Sequence, residues 1–116
     1  MDSLPSPPLK PLDFLVLLAL AEGERHGYGI RQDVFELSSR TISVDAGNLY
    51  RTLARLVEAG LVARSSRRPA ADADDERRRY FRITREGAKA LAADARRLRR
   101  LLGHAKVRKL LAGAAS

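Results

Sequence analysis

"DAGNLYRTLARLVEAGLVARSSR", residues 45–67, carries three signals in succession. Leu49, Leu53 and Leu56 recur at helical spacing, with Ala46 and Val57 beside them. Gly60 follows as a C-terminal stop, and "LVARSSR" then reads as a strand. Successive helix positions turn by about 100°, which groups Asn48, Arg51, Thr52 and Arg55 opposite the leucines. The helix therefore has an apolar face for a core and an outward face of hydrogen-bonding and cationic side chains. Such a face is either plain solvated surface, which uses the same residue types, or a surface aimed at a ligand. The elements on either side decide between the two.

Upstream, residues 1–11 contain all but one of the five prolines and predict a flexible arm. "LDFLVLLALAEGE" predicts a helix over about 12–22, with Leu15, Leu18, Ala19 and Glu22 on one face and Gly23 ending it. It is apolar nearly all round, so it is either the central core helix or is covered by a partner. "RHGYGIRQDVFELSS" predicts a second helix over about 27–38, with Ile30, Val34 and Leu37 as its apolar stripe. Two glycines at its start imply a close approach of backbone to another helix or a tight turn out of the loop. "TISVDAG" connects to the third helix, with Ser43 or Asp45 as N-cap.

Downstream, "RRRYFRIT" predicts a second strand, in which Arg79, Phe81 and Ile83 alternate with Arg78, Tyr80 and Arg82. The polar loop "RPAADADDE" joins the two strands into a hairpin with a long tip. Thr84 caps a final helix running to about Leu111, with Glu86 where the helix dipole favours an anion. Leu91, Ala95, Leu98 and Leu102 form a heptad-like stripe facing a partner helix, while Arg96, Arg97, Arg99 and Arg100 crowd the other sides.

The element order is α-α-α-β-β-α. It predicts a mainly α fold with a small β-hairpin, a winged helix-turn-helix carrying a C-terminal dimerisation helix. The divisions are residues 1–11, a Pro-rich arm; 12–83, a winged-helix DNA-binding domain; and 84–116, a dimerisation helix and tail. In this architecture the third helix is the one that enters a major groove. Asn can pair bidentately with adenine, Arg with guanine, and Thr can bond or touch a thymine methyl. Phosphates accept from all of them. Position in the fold thus favours the ligand reading of the outward face.

Charge supports the same reading. The formal net charge is +8. Residues 1–60 hold 6 Lys/Arg against 8 Asp/Glu, whereas residues 61–116 hold 16 against 6. A surface that basic fits an anionic partner. Arg64, Arg67, Arg68, Arg77, Arg78 and Arg79 are expected to supply phosphate affinity, and the third helix selectivity. Asp72, Asp74, Asp75 and Glu76 at the hairpin tip would repel phosphates in a groove. Either the tip points away from DNA or these acids pair with neighbouring arginines.

Several function classes are set aside. The chain has no cysteine, which removes disulfide scaffolds, thiolate metal sites and thiol catalysis. His26 and His104 are the only histidines, and tetrahedral metal sites need three or four ligands, so neither metal nor cofactor is expected. "HGYGI", with no strand expected before it, is not a phosphate-binding fingerprint. No Ser/His/acid arrangement is visible and the loop acids lack burial, so the chain is not read as an enzyme. Tyr28 is expected to pack against the first helix, and Tyr80 either touches the groove or packs. The longest apolar run, Phe14 to Ala21, is too short to span a bilayer. Residues 1–10 have no apolar run, and a cytoplasmic protein is expected.

The stretches "LVLLALAEGERHGYGI", "SVDAGNLYRTLARLVEAGLV" and "RRYFRITREGAKAL" together resemble the PadR family of bacterial transcriptional regulators. Their counterparts there are a first helix leading into a His-Gly-Tyr turn, a Gly-x-Leu-Tyr recognition helix ending in Gly-Leu, and a wing strand with paired aromatics. The resemblance covers roughly residues 12–102. It implies a homodimeric repressor on a palindromic operator in double-stranded DNA, released by a small-molecule effector. By position it places Asn48, Tyr50 and Arg51 in the DNA-contacting helix, Arg78 and Arg79 in the wing, and Leu91, Leu98 and Leu102 in the dimer helix. Asn48 departs from the family's usual Thr or Ser, and Arg51 from its frequent Pro, so operator sequence does not carry over. A single C-terminal helix would match the short members. The alternative function is a winged helix whose polar face binds another protein.

Overall fold

The computed structural model describes residues 8–65 and 79–114. Helix α1 spans Pro11–Ala21, with proline at its first position, where the missing N–H costs nothing. A two-residue strand, β1 (Arg25–His26), leads into α2 (Gly27–Leu37), and α3 covers Ala46–Glu58. Strands β2 (Val62–Arg64) and β3 (Tyr80–Ile83) follow, then α4 (Arg85–Leu102) and α5 (Ala105–Ala114). The sheet is antiparallel with order β1-β3-β2. Val62 pairs with Ile83 and Arg64 with Phe81 on one side, and Arg25 with Phe81 and His26 with Tyr80 on the other.

Two expectations are corrected. The hairpin is the main part of a three-stranded sheet, because Arg25 and His26, the latter opening "HGYGI", join the free edge of β3. A two-residue strand shows no alternation, so the sequence does not reveal it. The last helix is two helices. Gly103 caps α4 through its N–H to the carbonyls of Arg99 and Arg100. The His104 carbonyl then accepts from the N–H groups of Val107 and Arg108 to start α5.

The core gathers Val16, Leu17 and Leu20 of α1, Ile30 and Val34 of α2, Leu49, Leu53 and Leu56 of α3, Val62, Phe81 and Leu91. Helix α1 is therefore the central helix of the monomer. Its buried face is centred on Val16, Leu17 and Leu20, while Leu15 and Leu18 are half-buried and Glu22 is exposed. Leu37 of α2 is also exposed, since the helix ends there and the chain turns away through Ser39 and Arg40 in left-handed backbone.

Local signals set the element ends. The Asp45 carboxylate accepts from the Asn48 N–H at 2.7 Å and caps α3, settling the choice between Ser43 and Asp45. Gly60 takes φ 81° and ends the helix. The Thr84 hydroxyl accepts from the Gly87 N–H and donates to the Gly60 carbonyl at 2.7 Å, tying the start of α4 to the end of α3. Gly87 is needed there because an added Cβ would overlap the Leu61 carbonyl oxygen.

Candidate nucleic-acid interface

Helix α3 is held on its inner side by three buried leucines and at its C-terminal half by charge. Arg55 donates through both terminal nitrogens to the two carboxylate oxygens of Asp13, at 3.0 and 3.1 Å. The Asp13 side chain is 8% exposed and that of Arg55 50%. A bidentate Arg–carboxylate pair fixes geometry as well as energy, so it sets the position of α3 on α1. The hydrogen bond and then the charge of Asp13 raise the Arg55 pKa above its ordinary value. The first turn of α2 is the second support. Gly27 is buried against α3, and a Cβ there would lie 2.8 Å from the Tyr50 Cζ. That is the close approach expected from the paired glycines.

These supports sort the expected site residues. Asn48 and Arg51 are exposed on α3. Arg55 is also exposed, but already engaged by Asp13. Thr52 does not face outward. It is 4% exposed, because it lies three residues after Leu49 and four before Leu56 and so folds in with them. Tyr50 keeps 37% exposure while its ring meets Phe81 at 6.4 Å, joining α3 to β3. On the sheet, Arg64 and Arg82 are exposed, as is Arg79 just before β3. Arg82 is outward because it alternates with buried Phe81, a signal present in the strand's own sequence pattern. Arg67, Arg68, Arg77, Arg78 and the tip acids Asp72, Asp74, Asp75 and Glu76 lie outside the described residues.

The expected dimer stripe divides as well. Leu91 is 8% exposed and belongs to the monomer core, since α4 packs on α1 at that level. Ala95 is exposed, Leu98 is 43% exposed and Leu102 56%. Leu101 of α4 and Leu110 and Leu111 of α5 are likewise exposed. Asp94 is buried and paired with Arg97 at 2.6 Å. Tyr28 is 61% exposed rather than packed on α1, because the first turn of α2 directs it away from the core.

The sequence matches the model of the transcriptional regulator PadR-like family over residues 16–93. The chain belongs to that family. The match runs from Val16 within α1 to the first half of α4, so it contains the whole sheet, the α3 leucines and Gly27, while Asp13 lies just before it. Members are transcription regulators and not enzymes, and the PadR-like chain is one of them. A transcriptional regulator from Clostridium thermocellum is 26% identical over 76% of this chain and 80% of its own, with a TM-score of 0.61. RosR from H. salinarum is 27% identical over 92% of this chain and 90% of its own, at a TM-score of 0.65. PadR from Bacillus subtilis, solved in complex with operator DNA, shares the fold at 20% identity and a TM-score of 0.60, over 72% of this chain and 45% of its own. No curated protein matches the sequence. Among the described residues of the PadR-like chain, no helix is long and apolar enough to cross a membrane, and no group of three or more His, Asp or Glu could hold a metal ion.

Proposed function

We propose that this PadR-like regulator binds duplex DNA as a homodimer, with α3 in the major groove and the β2–β3 wing along the backbone. The observation that carries the reading is the division of α3. Its leucines and Arg55 are committed to the fold, while Asn48 and Arg51 stand exposed on the N-terminal half. Those are the side chains able to pair with adenine and guanine edges. Arg64 and Arg82 on the sheet and Arg79 just before β3 supply sequence-independent phosphate contacts, to which Arg78 is added by sequence position. A protein of the same fold has been solved on operator DNA.

The second copy covers Ala95, Leu98, Leu101 and Leu102. A radius of gyration of 16.4 Å, against about 13 Å for a compact chain of 100 residues, fits a C-terminal segment that stands off the core. A two-fold dimer doubles the short site of one winged helix and calls for a palindromic operator. Repression, release by a small molecule bound between the dimer helices, and a cytoplasmic location complete the proposal. Its divisions are the arm over 1–11, the DNA-binding domain over 12–83 and the dimer segment over 84–116. Selection of bound sequences from random duplexes, followed by titration at several salt concentrations, tests it. Enrichment of an inverted repeat and a steep loss of affinity with salt are expected. Absence of duplex binding would leave the winged helix as a protein-interaction module.

A further inference from the structure

Tyr28 has no role in the core, yet its side chain is held. The His26 ring stacks on it at 6.4 Å with 17° between planes, and His26 in turn meets the edge of Tyr80 on β3 at 5.6 Å. His26 is itself fixed, since its Nδ1 accepts from the Gly29 N–H at 3.1 Å and caps α2. Gln32, one turn along α2, donates from Nε2 to the Tyr28 hydroxyl at 3.2 Å. Gly27, the residue before Tyr28, lies against Tyr50 of α3. An exposed phenol is thus set where the first turn of α2, α3 and β3 meet.

Its chemistry follows from that hydrogen bond. A phenolic oxygen that accepts from Gln32 keeps its own proton for an acceptor outside the protein. The proton sits at the N-terminal end of α2, where the helix dipole favours an anion. The nearby cation, Arg25, is engaged by Asp33 at 3.2 Å and approached by Glu22 at 3.9 Å. What the site offers is a neutral, oriented donor for a negatively charged oxygen. We infer that the Tyr28 hydroxyl donates to a DNA backbone phosphate beside the groove that α3 enters, with Gln32 as its positioning residue. This rests on the DNA-binding reading above and adds to it a contact from α2, between the recognition helix and the wing.

Tyr28→Phe removes only the hydroxyl of a 61% exposed residue and should melt like the wild type. Binding to the selected duplex and to a random duplex is measured across salt concentrations. Affinity of the dimer should fall about a hundredfold on both, about tenfold for each of its two Tyr28 hydroxyls, the scale of one hydrogen bond to a charged group. The log affinity against log salt slope should not change, because a neutral hydroxyl displaces no counterion. Gln32→Leu should give a smaller loss of the same kind. Gln32→Glu should give a larger one, by drawing the phenolic proton inward and adding a negative charge. Wild-type affinity in Tyr28→Phe, a loss confined to the selected duplex with altered base preference, or a changed oligomeric state would each overturn the inference while leaving DNA binding intact. If the wild type itself binds no duplex, both readings fall together.

Discussion

The Asp13–Arg55 pair should be asymmetric under mutation. Removing one partner of a buried ion pair costs about 3–5 kcal/mol, mostly because the other charge is left without compensation. Here only one end is buried, with Asp13 at 8% side-chain exposure and Arg55 at 50%. Arg55→Ala strands a carboxylate inside the fold. Allowing for water reaching the vacated side, the loss should be about 2–4 kcal/mol. Asp13→Ala releases a guanidinium that can rehydrate where it stands, so the loss should be about 1–2 kcal/mol, the value of the two hydrogen bonds. The double variant removes the stranded charge and should sit close to Asp13→Ala, so the coupling energy should match the Arg55→Ala loss, about 2–4 kcal/mol. At roughly 4 °C per kcal/mol for a chain of this size, Arg55→Ala should melt on the order of 8–16 °C lower. Thermal and urea unfolding of the four proteins, followed by circular dichroism, provide the cycle. An additive double variant, or an Arg55→Ala no worse than Asp13→Ala, would refute the argument that the pair anchors α3.

Gly87→Ala should destabilise by about 1–3 kcal/mol because the new Cβ meets backbone at Leu61, whereas Gly113→Ala, with nothing within 4 Å of the added carbon, should stabilise by about 0.5–1 kcal/mol; urea midpoints compare them. Asn48→Ala and Arg51→Ala should each cost about 1–3 kcal/mol on the selected duplex and relax one or two base positions, read by repeating the selection. Arg79→Ala should weaken binding to all duplexes alike and reduce the salt slope by about 0.9 per lost phosphate contact, so about 1.8 for the dimer. Leu98→Asp should leave the monomer folded, since Leu98 is 43% exposed, but shift sedimentation to monomer and abolish operator binding.

Much of the candidate interface is legible in the sequence because exposure on a helix depends on local pattern. The leucine period of α3 placed Asn48 and Arg51 outward, and both are exposed. The same wheel misplaced Thr52, which lies at the border of the apolar arc, where the packing of α3 on its neighbours rather than a nominal angle decides burial. The stripe on α4 failed at Leu91 for a related reason. A heptad pattern marks an apolar face but not what covers it, and on α4 Leu91 joins the monomer core while Leu98 and Leu102 stay exposed.

The sequence alone determined the three helices and the hairpin in their order, the Thr84 cap, the stops at Gly23 and Gly60, and the resemblance that the family match bears out. These follow from interactions within a few residues, and short-range hydrogen bonding and side-chain periodicity leave their mark in the chain itself. Only the tertiary structure decided that β1 joins β3, that Gly27 makes room for Tyr50, and that Arg55 reaches Asp13, 42 residues away. Each of these needs two distant segments to be brought together by burial of the core. Nothing in the local sequence of Arg55 distinguishes an arginine held by a buried carboxylate from one free to meet a phosphate.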